Sequence, residues 1–298
     1  MKVAFGPEMP EFPSWEWVGQ DLAEELQSTA ETTVFQHAVP ACDAVVFVKF
    51  KLDTNALSQI RQRSRVFFCP VDIYESAAEI DADWKALRQC DCVIPHTPTL
   101  SKYFVSYTRV ECLDHHLKFT ISPQPEHKTS GPILWTGNAG NLPPLVEWVN
   151  QHSLPEELWI LTNLPHSDNR AADLGFHASR KVRVADWSPE RHREWLGMAR
   201  AALDIKGTDF RSRHKPATKA NDLIASGIPL AMNADSSPAI ELASRGFVLA
   251  RPTDPDYWLS KEYWQKTQEY GTNLKTSLSW FVTAHKLMRM ITAICGRS

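Results

Sequence analysis

The chain has 298 residues, 43% of them hydrophobic and 22% charged, with a formal net charge of -3. At about 150 residues per domain, that length predicts two domains or one large one with an ample core, and the near-neutral charge argues against wholesale wrapping by nucleic acid. The run from Met1 to Gly6, followed by Pro7, Pro10 and Pro13, lacks the basic start and apolar stretch of a signal peptide, and no window reaches the ~18 uncharged apolar residues of a membrane span. A cytoplasmic protein is expected. The cysteines at 42, 69, 90, 92, 112 and 295 form no CxxC pair and no zinc or disulfide spacing, so they read as small core hydrophobes in a reducing compartment. Adjacent residues on a strand or turn point apart, and no cluster of cysteines or carboxylates joins His115 and His116, so no metal site is expected there.

In chain order, period and punctuation predict a strand over Lys2 to Gly6 and a helix over Trp15 to Thr29. Strands follow at Glu31 to Gln36, Ala44 to Phe50, Arg65 to Cys69, Cys92 to Pro95 and Arg109 to Leu113, with helices at Thr54 to Gln62, Ser76 to Gln89 and Thr99 to Ser106. Near-continuous apolar runs such as Ala44-Val45-Val46-Phe47-Val48 suit a parallel sheet covered on both faces. Residues from Ile121 to Pro132 turn polar and proline-rich, which reads as an interdomain linker. The alternation then restarts. Strands are predicted at Ile133 to Thr136, Leu158 to Thr162, Val182 to Ala185, Ala202 to Lys206, Pro229 to Met232 and Phe247 to Ala250. Helices are predicted between them at Pro143 to Gln151, Pro189 to Arg200, Pro216 to Ser226 and Ser237 to Arg245. This order gives two Rossmann-like, doubly wound α/β domains, over residues 1–121 and 133–255. Residues 256–298, rich in Trp, Tyr, Leu and Met, read as two amphipathic helices.

Two loops could carry chemistry. Trp135-Thr136-Gly137-Asn138-Ala139-Gly140-Asn141-Leu142-Pro143 runs from a strand end through glycines into a helix opened by proline, where free amides and close backbone approach favour an anion. Gly137, Asn138 and Asn141 are its candidate ligand residues. The alternative is an ordinary tight turn, since the spacing matches neither GxGxxG nor a P-loop. The second loop leaves a strand at Lys206, passes Arg211, Arg213, His214 and Lys215, and enters a helix at Pro216. Ala220, Leu223, Ile224 and Gly227 mark the buried face of that helix, and Lys219 and Asp222 share its edge. A cation for phosphate and a carboxylate for ribose hydroxyls are what a nucleoside diphosphate requires. A solvated Lys219–Asp222 pair is the plainer alternative.

Lys215-Pro216-x-x-Lys219-x-x-Asp222-x-x-x-x-Gly227-x-Pro229, the Thr136-Gly137-Asn138 loop and the helical tail together resemble a GT-B glycosyltransferase of the family 4-like group. The likeness spans most of the chain and is looser in the first half, where Trp15 to Leu26 and the Asp91 to Phe104 stretch resemble the first helix and last strand-helix unit of that domain. The resemblance implies transfer of a sugar from a nucleotide-sugar, held mainly by the second domain, to an acceptor held mainly by the first. It implies a helical tail crossing back to the first domain, and no metal or other cofactor. The second glutamate of the family's Glu-x7-Glu motif falls at Asp222 and the first at His214, so this motif is degenerate here. Arg213, Lys215 and Lys219 would hold the diphosphate, with Lys206 and Thr218 completing the donor set. A UDP-sugar is favoured over a GDP-sugar, and the acceptor is a glycan, a lipid-linked sugar or a small molecule.

For the catalytic groups, Asp72, His96 and His214 are the candidates, Asp72 and His96 because each follows a predicted strand; Glu8 and Glu11 are further loop carboxylates. Asp81-Ala82-Asp83 matches the DxD motif of the other glycosyltransferase fold, but it lies where a helical surface is expected rather than after a strand. The tail residues Trp258, Tyr263, Trp264, Tyr270, Trp280, Phe281, Met288 and Met290 are expected in the core, with a peripheral membrane or partner surface built on Lys275, Lys286 and Arg289 as the minority reading. That surface would put the protein at the inner membrane face. Two other functions remain at this stage. One is a non-catalytic nucleotide or sugar-nucleotide binding protein, favoured by His214 at the glutamate position. The other is a nucleic-acid module using the basic loop 211–219, against which the overall charge and the lack of interleaved aromatics weigh.

Overall fold

A computed structural model describes residues 1–164, 166 and 170–296. It contains two five-stranded, wholly parallel sheets. The first is built from β1 (Lys2–Gly6), β2 (Glu31–Val34), β3 (Ala44–Val48), β4 (Arg65–Cys69) and β5 (Cys92–Val93), in the order β2-β1-β3-β4-β5. The second is built from β6 (Ile133–Thr136), β7 (Leu158–Thr162), β8 (Val182–Asp186), β9 (Ala201–Asp204) and β10 (Leu230–Met232), in the order β10-β9-β6-β7-β8. Both are doubly wound orders, in which the winding direction reverses at one place: between β1 and β3 in the first sheet, and between β6 and β9 in the second.

By contact the chain divides into two compact units. The first comprises Met1–His116, Asp209–Pro216 and the chain from Ser277 onward; the second comprises Leu117–Thr208 and Ala217–Thr276. In the first unit, alternate strand residues feed two cores, as the two-residue period of a strand requires. Val3, Phe5, Val46, Val48, Phe67 and Cys69 pack with the helical stretch 13–28 and with Ala284, Leu287 and Ile291 of the Trp280–Cys295 helix. Ala4, Val45, Phe47, Val66 and Phe68 pack on the other side with Leu57, Ile80, Leu87 and Leu100. The last helix of the tail is thus a core element of the first unit. Its predecessor, Lys261–Ser277, lies almost wholly in the second unit, where its Gly271 approaches the backbone of Ile224 so closely that an added Cβ would lie 2.2 Å from that carbonyl oxygen.

The structure departs from the sequence expectations at identifiable points. Residues 109–113 and 247–250 form no strand; each makes a single parallel bridge, Val93 with Val110 and Ala231 with Ala250. The expected linker is fastened to the second unit, because its polar side chains satisfy carbonyls left open at helix ends. Gln124 Nε2 donates to the carbonyls of Gly197 (3.2 Å) and Ala199 (3.3 Å), and His127 Nε2 to that of Leu259 (2.9 Å). The expected helix over Ser76 to Gln89 breaks at Asp83 into Ala77–Ala82 and Trp84–Leu87. The acidic pair there is split between partners: Asp81 accepts from Tyr107 (2.6 Å), while Asp83 accepts from Tyr74 (2.5 Å) and pairs with Lys51. The tail aromatics divide in the same way. Trp258 and Tyr263 are fully buried, whereas Phe281 is 59% exposed. No helix among the described residues is long and apolar enough to cross a membrane.

Tyr263, fully buried, ties β10 to the residue that bridges it. Its hydroxyl donates to the Leu230 carbonyl (2.8 Å) and accepts from the Ala250 amide (3.0 Å). Tyr263→Phe strands two buried backbone groups and is expected to cost about 1–3 kcal/mol in urea unfolding, with the far-ultraviolet circular dichroism spectrum unchanged.

Candidate functional site

The reversal point of the second sheet carries a buried polar cluster. β9 is an apolar strand, Ala201-Ala202-Leu203, that ends on a carboxylate, Asp204, with 2% of its surface exposed. Trp135, one residue from the end of β6, donates its indole N–H to Asp204 Oδ1 at 3.1 Å. Lys206 Nζ lies 2.7 Å and Lys219 Nζ 3.4 Å from Asp204 Oδ2. Burial by itself would raise the Asp204 carboxyl, but the two ammoniums and the indole outweigh it and pull the group down to about 2. One carboxylate shared by two ammoniums leaves the cluster with net positive charge at the place where open α/β sheets receive ligands.

Lys219 is guided further by its neighbours. Its Nζ sits 4.5 Å above the centroid of the Trp135 ring, a cation–π distance. Gly137, at φ +157°, makes room for it: a Cβ there would stand 2.8 Å from Lys219 Nζ and 3.1 Å from the indole. After Gly137 the loop curls on itself. Asn138 Oδ1 accepts from the Gly140 amide (2.9 Å), and Asn163 Oδ1 accepts from the Ala139 amide (2.9 Å), ahead of the Pro143–Gln151 helix. Asn141 closes the short Ala139–Asn141 turn within the same loop. Thr218 opens the Thr218–Ala225 helix, whose residues from Ala220 on are all buried, and Gly227, at φ +72°, ends it in the left-handed conformation a helix stop favours.

Asp222 has a different occupation from its expected one. Its Oδ1 accepts from the Lys118 amide (3.0 Å) and its Oδ2 from the Phe119 amide (3.2 Å), and only 6% of the residue is exposed. Burial pushes this carboxyl up to about 7, although both amides oppose the rise. Ser226 Oγ accepts from the Ile121 amide (3.1 Å), so one helix pins the whole 118–121 segment. The segment in turn places Phe119 against Trp187 (5.5 Å between centroids) and His192 (5.4 Å). Lys219 and Asp222 therefore do not act as one outward-facing pair; the first reaches the strand ends and the second fastens a neighbouring segment.

The cationic loop is divided as well. Arg213, His214 and Lys215 belong to the first unit, Lys206, Thr218 and Lys219 to the second. In the first unit, His96 follows β5 and is 3% exposed; its Nε2 lies 2.9 Å from the His214 carbonyl, to which it donates. That bond fixes the tautomer, leaving a lone pair on Nδ1, which is buried without a partner. Burial lowers the His96 pKa and keeps the ring neutral. The His214 ring packs on Phe210 and Tyr103 and bonds the Phe210 carbonyl through Nδ1 (2.7 Å). Asp72, His96, His214 and Arg211 line one small cavity of about 10 Å³. Asp72 is half-exposed, as is Arg211, and is held at φ +50° after β4. Among the described residues, no three His, Cys, Asp or Glu side chains gather as a metal site would need.

The chain matches no protein-family model and no curated protein by sequence. Solved structures do match. AviGT4, described as a glycosyltransferase involved in avilamycin A biosynthesis, superposes with a TM-score of 0.65 at 12% identity, covering 100% of this chain and 98% of that one. The fold is GT-B. WaaG, a glycosyltransferase involved in lipopolysaccharide biosynthesis, shares this GT-B architecture with a TM-score of 0.61 at 11% identity over 98% of this chain and all of that one. Spinosyn forosaminyltransferase SpnP gives 0.52 at 11% identity, over 98% of this chain and 99% of that one.

Sequence reasoning missed Asp204, Trp135 and His192. A lone carboxylate ending an apolar strand was a readable signal for Asp204. Nothing local marks the other two, because an indole in a strand reads as core and a histidine in a polar helix as surface. His192 is 6% exposed with no partner for Nδ1, and burial, helped by the Lys219 charge, lowers its pKa to about 4. A depressed folded-state value means that the unfolded chain takes up this proton first, so the stability it confers is present above about pH 6.5 and is lost as pH falls toward 4. Urea unfolding at pH 7.5 and 4.5 is expected to show the wild type losing roughly 2.5 kcal/mol more than His192→Gln over that interval. Equal losses would contradict the assignment.

Proposed function

We propose that the protein is a glycosyltransferase that moves a sugar from a nucleotide-diphosphate sugar to an acceptor, with the donor diphosphate held at the reversal point of the second sheet. The observation that carries this reading is the Lys219 ammonium, set over Trp135 and against Gly137 beside a second ammonium on Asp204. Two cations already desolvated and oriented can neutralise a leaving diphosphate as its charge grows, with little reorganisation during the reaction. That chemistry needs no divalent ion, and we assign none. The GT-B fold supports the same reaction class.

In this reading Gly137, Asn138 and Asn141 shape the loop over the diphosphate, Lys206 and Lys219 bind it, and Thr218 starts the helix behind it. Asp222 acts by fixing the Phe119 segment rather than by touching ribose. Arg213 and Lys215 are retained as further cations of the donor set. The acceptor hydroxyl attacks the anomeric carbon as the bond from that carbon to the diphosphate oxygen breaks, and its proton passes to a base. Asp72 is assigned as that base because its carboxylate is reachable. His96 and His214 are positioning residues behind it, His96 through its bond to the His214 carbonyl. We assign UDP as the nucleotide ahead of GDP, a glycan, lipid-linked sugar or small molecule as acceptor class, and a cytoplasmic setting suited to six cysteines without disulfide spacing.

A thermal-shift series with UDP, GDP, ADP and CDP, with and without Mg²⁺, tests this. At ~100 times its Kd a ligand adds roughly 2.7 kcal/mol of stability. UDP is expected to raise the midpoint equally with and without Mg²⁺, and Lys219→Ala to abolish the rise while keeping the fold. A shift that survives Lys219→Ala overturns the site. The His214 departure also favours a second reading, a sugar-nucleotide binding protein without turnover, which would show the shift but release no UDP from any UDP-sugar.

A further inference from the structure

The first sheet has its own reversal point, between β1 and β3, and the residues leaving those two strands are not those of an ordinary turn. Lys49, immediately after β3, is held at φ +64° while the Phe50 amide bonds back to the Val48 carbonyl at 2.7 Å. This is a three-residue turn in its rare, strained hand. Asp72, beyond β4, is the only other described non-glycine residue with positive φ. Glycine or asparagine would adopt the Lys49 backbone at lower cost, so what lysine adds there is its ammonium. Strain that a protein keeps at a strand exit points to a use for the side chain it displays.

The Lys49 ammonium has no ion-pair partner among the described residues. Its Nζ donates to the Val71 carbonyl at 3.3 Å and lies 4.9 Å from the Phe12 centroid and 5.7 Å from that of Phe50. Burial lowers its pKa, the Asp72 carboxylate opposes the shift, and the Arg211 guanidinium adds to it. Arg211 itself reaches Glu75 through Nη1 at 3.2 Å, while its buried Nε has no partner. Phe12 and Phe50 stand half-buried, with ring centroids 5.6 Å apart and planes at 56°. Side by side, then, lie a partly desolvated cation, an apolar aromatic wall and a reachable carboxylate.

We propose that Lys49 binds an anionic group on the acceptor, and that the acceptor is an acidic sugar, a pyranose carrying a phosphate or carboxylate, whose ring lies against Phe12 and Phe50. The inference rests on the glycosyltransferase reading for the word acceptor. The ligand chemistry follows from the three side-chain types: an anion for the ammonium, a ring face for the phenyl groups, and hydroxyls for Asp72. A neutral sugar leaves the ammonium without a counter-ion, and a bare anion leaves the aromatic wall unused.

Isothermal titration of the full chain and of Lys49→Asn with glucose 6-phosphate, glucuronate, glucose and inorganic phosphate tests it, alongside the melting temperature without ligand. Glucose 6-phosphate or glucuronate is expected to bind the wild type at least about tenfold more tightly than glucose or inorganic phosphate, and whichever binds identifies the anion. Lys49→Asn should weaken that binding at least about tenfold and, by relieving the turn, melt no lower than the wild type. The proposal is overturned if neither acidic sugar binds, if glucose or phosphate binds equally well, if Lys49→Asn binds unchanged, or if that variant melts lower and so reveals a structural lysine. The UDP shift depends on Lys219 and should persist in Lys49→Asn. Its absence from the wild type would sink the glycosyltransferase reading while leaving the acidic-sugar result to stand or fall by itself, and its loss in Lys49→Asn would assign the nucleotide to this site and overturn the proposal.

Discussion

Asp204 is the constraint from which the second unit's chemistry follows. A carboxylate at the end of a buried strand can stay ionised only if cations and hydrogen-bond donors come to it, and here an indole and two ammoniums do. Satisfying that one group brings β6, β9 and the Thr218–Ala225 helix to a common point. It also leaves more positive than negative charge there, so the arrangement that solves a folding problem also leaves a net positive cluster at the strand ends. Gly137 is part of the same solution, since any side chain at that position would displace the Lys219 ammonium.

Asp222 shows the opposite use of a buried carboxylate. Its partners are backbone amides, which bring no charge, so burial wins and the group titrates near neutrality. What it contributes is placement: two amides from residues 118 and 119 are held, and Phe119 is set among Trp187 and His192. The difference between the two aspartates lies in their surroundings. One is surrounded by ammoniums and becomes part of a charged surface; the other is surrounded by peptide groups and becomes a fastener.

The first unit repeats the topological theme with different chemistry. Its reversal point carries a strained lysine and two phenyl rings, and beyond β5 His96 supports the Asp209–Pro216 segment through a backbone carbonyl. Parallel sheets of this kind converge strand exits on one edge, and that convergence decides which loop residues can act together.

Much of the fold was written locally. The apolar runs of β3, β4, β6 and β7 and the Pro143–Gln151 helix follow from period, β-branching and proline punctuation, and their bounds agree with expectation to within about two residues. Residues 109–113 and 247–250 had the composition of strands, but a strand needs a neighbour along its length, and each found only one bridging residue. The polar 121–132 stretch had the composition of a linker, yet its side chains found carbonyls to cap. In the site, the residue types, the strand exits they follow and the helix that carries Lys219 are legible from the chain alone. Packing between distant segments settles that Lys219 turns to Asp204, that Asp222 turns to the 118–119 amides, and that Arg213 and Lys215 are counted with the first unit while Lys219 is counted with the second. The physical reason is that propensity and period act over a few neighbouring residues, whereas the partner of a buried charge is chosen among groups that the fold brings together from distant parts of the chain.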